Sequence, residues 1–174
     1  LRTIKLLNHF NKEIEFISQK IIKLLKSKNK LLICGNGGSS SDASHLSSEL
    51  VGKFEKLRRS YPAISLSLDT SAITAIGNDY GFDKIFSRQI EGLAQEGDIL
   101  IVISSSGNSK NLISAVEKAQ EIGIESFGLL GKGGGNLKKL VDNHITIPSE
   151  KTSRIQEAHG LIIHILCKII DDLT

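Results

Sequence analysis

The chain is short of cysteine, of charge of one sign and of long apolar runs, and each shortage excludes a class of protein. Its 174 residues include two cysteines, no tryptophan and no methionine. Cys34 and Cys167 have no partner at zinc-finger or redox spacing, so neither a disulfide scaffold nor such a metal motif is indicated. One closes an apolar run and the other lies inside an apolar helix pattern, where a thiol acts as a small buried hydrophobe. Lys and Arg total 22 against 19 Asp and Glu, a net charge of +3. The densest basic clusters, residues 26–30 and 53–59, are too small for a nucleic-acid footprint and read as a solvated helix end and a loop. No apolar run approaches the ~20 residues that span a bilayer. The N-terminus lacks a signal-peptide core. A cytoplasmic protein without membrane or nucleic-acid partners is expected.

What is present is an ordinary globular balance, 40% hydrophobic and 24% charged. The length suits a single domain over 1–174, with no linker, repeat or low-complexity tract. Leu7, Phe10, Ile14, Ile17, Ile21 and Leu24 step by three and four, predicting a helix over 3–28 with a bundle-like seam. Strands are predicted at 30–34, 63–68, 98–103, 125–130 and 144–147. Between them, helices are predicted at 39–51, 71–76, 82–94, 112–122 and 137–141, with 77–81 as a break. A final helix, 152–173, is apolar almost all round from 161 to 170, which indicates burial on more than one side. Alternating strands and helices with short loops predict an α/β three-layer sandwich on a five-stranded parallel sheet. The long terminal helices are expected to form a bundle shared between subunits of a homo-oligomer.

Two loops stand where open α/β sheets bind ligands, after a strand and before a helix. Gly35-Asn36-Gly37-Gly38-Ser39 lets backbone approach an anion at a helix N-terminus. It lacks the third glycine of the dinucleotide fingerprint and the Gly-Lys-Ser/Thr ending of the P-loop. Ser104-Ser105-Ser106-Gly107-Asn108-Ser109 clusters hydroxyls that can hold a phosphate monoester through neutral donors. Each loop alone is also readable as an ordinary turn with Ser39 or Ser109 capping the next helix. Two together favour a sugar phosphate over a nucleotide. Gly131-Lys132-Gly133-Gly134-Gly135 reads as a structural turn.

His45 and Glu49 lie four apart on one helix face. Gln156 and His164, eight apart, can still point toward one site. Two imidazoles, a carboxylate and an amide oxygen make a plausible zinc set. His159 could face the same way, while His9 and His144 have no partner pattern.

Taken in order, Cys34-Gly35-Asn36-Gly37-Gly38-Ser39 with Asp42, His45 and Glu49 are followed by Ile76-Gly77-Asn78-Asp79-Tyr80-Gly81 and by the serine loop. With Arg154-Ile155-Gln156-Glu157 and His164, they make the chain resemble the sugar-isomerase (SIS) family, in particular its isomerases of phosphorylated heptoses. The resemblance covers essentially the whole chain. It implies conversion of sedoheptulose 7-phosphate to an aldoheptose 7-phosphate through a cis-enediol, an early step toward activated heptose for lipopolysaccharide or capsule. It implies zinc, one ion per subunit, on His45, Glu49, Gln156 and His164, with Glu49 and His164 also catalytic. Substrate contacts are implied at Asn36, Gly37, Gly38, Glu49, Asn78, Asp79, Ser104, Ser105, Ser106, Ser109 and Gln156, in a tetramer with sites at subunit interfaces. Two positions depart from the pattern. Ser105 stands where many relatives have threonine, and Ser153 where some have aspartate. The alternatives are an SIS isomerase of another sugar phosphate, or a non-catalytic SIS adaptor of the replication initiator, which lacks the glutamate and last histidine that this chain has.

Overall fold

The computed structural model describes residues 9–174. Among the described residues, helix α1 (Asn11–Lys26) comes first, and its buried residues include Ile14, Ile17, Ile21 and Leu24, four of the six seam positions. Leu7 lies outside the described residues. The alternating pattern then gives β1 (Leu31–Gly35), α2 (Gly38–Val51), β2 (Ala63–Ser65), α3 (Thr70–Tyr80) and α4 (Ser87–Leu93). It continues with β3 (Ile99–Ser104), α5 (Lys110–Ile122), β4 (Glu125–Gly131), α6 (Leu137–Leu140), β5 (Asn143–Ile147) and α7 (Thr152–Leu173). The five strands form one sheet in the order β2-β1-β3-β4-β5, every pair parallel.

Parallel strands are covered on both faces, so their sequences run apolar without interruption. Every residue of β1 and β3 is buried. Alternate side chains feed two cores. Leu31, Ile33, Ile99, Ile101 and Ile103 join α1, α2 and α7 on one face. Leu32, Cys34, Leu100 and Val102 join α4, α5 and α6 on the other. Cys34 and Cys167 are both buried, as expected, and burial pushes the Cys167 thiol up to about 12.

Four segments differ from the sequence reading. The second strand stops at Ser65 instead of 68, because Asp69 must leave the sheet to cap α3, accepting the Ala72 N–H at 2.9 Å. The break expected at 77–81 shrinks to Gly81 (φ 90), and α3 carries Gly77, Asn78 and Asp79 within it. A glycine inside a helix costs only about 1 kcal/mol, which a capped and partly packed helix tolerates. The 82–94 helix divides into a 3₁₀ turn, Phe82–Lys84, and α4. The basic cluster at 53–59 is not simply solvated: the Arg58 side chain is 8% exposed and paired with Asp171 at 2.7 Å. The third glycine stretch is structural as expected, with Gly133, Gly134 and Gly135 all at positive φ.

Candidate active site

β1 and β3 are neighbours, with Gly35 opposite Ile103, and the chain leaves them in opposite directions across the sheet. Their following loops therefore open a crevice at the topological switch point, the usual ligand position in such sheets. Asn36 and Asn111 bridge the crevice by exchanging amide hydrogen bonds, both 2.9 Å. Gly37 supplies the left-handed turn (φ 56) from which α2 starts, with no side chain capping it. At Gly38 a Cβ would fall 2.2 Å from the Gln156 amide nitrogen, so a larger residue there would push the Gln156 side chain aside.

The serine loop forms the other lip. Ser104 is buried, and its Oγ accepts the Gly107 N–H at 3.0 Å, leaving its own proton to donate elsewhere. Ser106 Oγ accepts from Asn108 N–H at 3.3 Å. Ser109 is the N-cap of α5 by position, yet its hydroxyl makes no capping bond. The first turn of a 13-residue helix is thus left with N–H groups facing the loop. Gly107 is pinned against the next loop, where a Cβ would come within 1.9 Å of the Gly134 carbonyl oxygen.

On the α1 face, α2 and α7 pack together. His45 Nε2 lies 3.3 Å from Glu49 Oε1 and 3.2 Å from His164 Nε2, the imidazoles meeting edge-on with centroids 4.9 Å apart. A single ring nitrogen carries at most one proton, so His45 Nε2 cannot donate fully to both neighbours. A cation held by these three groups would remove that conflict. In tetrahedral zinc sites with bonds of 2.0–2.1 Å, donor atoms are about 3.3 Å apart, which matches both spacings. Among the described residues no group of three His, Cys, Asp or Glu is already gathered as a metal cage. The contacts run as a chain from Glu49 through His45 to His164, so a bound ion would have to draw them together.

The other expected residues are more dispersed. Gln156 rests over Gly38, about 10 Å along α2 from His45 by helical rise. Asp42 lies between them on the same stripe; burial pushes its carboxyl up, against the pull of His45, and its Oδ2 has no partner. Asn78 and Asp79 bond to one another at 2.7 Å, exposed at the end of α3, on the opposite side of the sheet from α2 and α7. His159 turns into the core: it is fully buried, with Nε2 3.1 Å from the Leu130 carbonyl. Sequence reasoning missed Asn111, and Phe54, whose ring lies 5.5 Å from that of His164. Asn111 has a weak signal in its place on the first turn after the serine loop; Phe54 has none.

The SIS domain family model matches residues 3–131. A phosphoheptose isomerase of Nitratiruptor sp. is 58% identical over 151 residues, covering 87% of this chain and 81% of that protein. The solved phosphoheptose isomerase of Francisella tularensis is 41% identical with TM-score 0.93, over 97% of this chain and 90% of that one. That of Neisseria gonorrhoeae is 38% identical with TM-score 0.91, over 99% and 94%.

Proposed function

We propose that this chain, which belongs to the SIS domain family and is a phosphoheptose isomerase by kinship, interconverts sedoheptulose 7-phosphate and D-glycero-D-manno-heptose 7-phosphate. The observation that carries the mechanism is the contact chain of Glu49, His45 and His164.

The reaction removes a proton from C1 of the ketose and delivers one to C2, while O1 loses a proton and O2 gains one. No outside oxidant or reductant is needed. Glu49 is the carboxylate that moves the carbon-bound proton through a cis-enediol, and His164 moves the oxygen-bound one. Ser104, Ser105, Ser106 and Ser109, with the free N–H groups of α5, hold the phosphate. Asn36, Gly37 and Gly38 line the sugar, and Asn78 and Asp79 bind its hydroxyls. His45, Glu49 and His164, joined by Gln156, would hold one zinc ion, which when bound supplies Lewis-acid polarisation of the sugar oxygens.

Asn78 and Asp79 lie on a helix without a single buried residue, flanked by exposed Leu68, Tyr80 and Phe82. That face suits burial against another copy, and a homotetramer with sites at its interfaces is the assembly we favour. No described helix is long and apolar enough to cross a membrane.

The test is conversion of sedoheptulose 7-phosphate followed by NMR. Glu49→Gln, which keeps the shape but not the base, is expected to lower kcat about 10²–10⁴-fold. A chelator should remove one metal equivalent per chain by elemental analysis. A folded wild-type protein that leaves the substrate untouched would overturn the isomerase reading, and a metal-free active protein would overturn zinc.

A further inference from the structure

Residues 52–60 lead from α2 toward β2, yet their strongest attachments are to the end of α7. The Asp171 side chain is completely enclosed. One of its oxygens accepts Arg58 Nε at 2.7 Å, and the other accepts the Glu55 and Lys56 N–H groups at 2.8 and 2.9 Å. Burial works to raise this carboxyl, but the hydrogen bonds and the guanidinium hold it below its ordinary range. Arg58 turns its remaining donors to backbone carbonyls, Glu49 O at 2.8 Å and Leu50 O at 2.9 Å near the end of α2 and Arg59 O at 3.1 Å. Its guanidinium also lies over the Tyr61 ring at 4.3 Å. Phe54, in the same segment, is the residue packed on the His164 ring.

One buried ion pair therefore grips the backbone of Glu49, the helix that carries His164 about two turns earlier, and the loop that presses Phe54 onto His164. Such a pair adds little net stability over an apolar replacement. What it does add is direction, because the planar guanidinium fixes several angles at once. We propose that Arg58 and Asp171 are positioning residues: they set α2 against α7 and so fix the approach of Glu49 and His45 to His164. The proposal rests on the isomerase reading of that site. Neither residue touches the substrate. They act on the reaction because misplacing a reacting group by about 1 Å costs on the order of 10²-fold in rate.

The experiment compares Asp171→Asn, Arg58→Lys and Phe54→Leu with wild type by kcat, KM, Tm and the His164 ring-proton NMR signals. Asp171→Asn and Arg58→Lys are expected to lower kcat about 10- to 100-fold with KM within about twofold, and to shift the His164 signals. Phe54→Leu leaves the ion pair intact and should lower kcat in the same direction with little change in Tm. A lowered Tm with wild-type kcat per folded protein and unmoved His164 signals overturns the proposal. If Asp171→Asn does not fold, wild-type kcat in both Arg58→Lys and Phe54→Leu overturns it instead. Inactive wild-type enzyme defeats the isomerase reading alone, since the His164 signals of the variants still report the coupling.

Discussion

His159 is fully enclosed beneath the sheet, with Nε2 on the Leu130 carbonyl and Nδ1 unpartnered. Burial pushes its pKa down to about 4, against the opposing effect of the Leu130 hydrogen bond. The folded state thus binds a proton less readily than the unfolded chain, whose histidine titrates near 6.5. Its contribution is complete above 6.5 and is lost as pH falls toward 4, amounting to about 2 kcal/mol by pH 5. Urea unfolding at pH 7 and pH 5 should show that loss in wild type and a much smaller one in His159→Gln. His45 and Glu49 were easier to read, since spacing of four places them on one face without tertiary information. Phe54, Arg58 and Asp171 carried no such signal. Their relation exists only because a loop folds back across 113 residues of sequence, from Arg58 to Asp171.

At the scale of elements, legibility followed how strongly each segment depended on its own sequence. β1, β3 and α7 are apolar enough to declare themselves, and α7 spans Thr152–Leu173 as the pattern predicts. The edge strand β2 and the helix through Gly77 were set by a neighbour, the Asp69 cap, that overrode local alternation and a glycine. Helix α5 makes the opposite point. Ser109 occupies its N-cap position but makes no side-chain capping bond. A working serine cap is worth about 1 kcal/mol. Ser109→Ala should therefore cost less than about 0.5 kcal/mol in the ligand-free protein, measured by denaturant unfolding. If Ser109 holds the phosphate as proposed, its effect should appear instead as a raised KM. A full capping cost with unchanged KM would return Ser109 to an ordinary structural role.

For the whole molecule, two cores on either side of one parallel sheet follow from apolar strands that alternate their side chains between both faces. What the chain's own packing leaves over is apolar surface. Phe16 and Leu173 are exposed on α1 and α7, and Leu161, Ile165 and Ile169 are only partly covered. Of these, Ile165, Ile169 and Leu173 border a cleft whose other wall is Asn11, Ile14, Glu15 and Gln19 of α1. A helix pair with an uncovered apolar groove gains by packing against a copy of itself. Ile169→Glu places a charge in that groove without entering the sheet, so the fold should survive while the assembly weakens. Sedimentation is expected to give an oligomer for wild type and a smaller species for the variant, with near-wild-type circular dichroism. If Asn78 and Asp79 bind the sugar as proposed, their place on the opposite side of the sheet from the histidines means that the smaller species should also lose activity, and mixing it with wild type should not restore it. A variant that is monomeric and fully active would mean that each chain completes its own site.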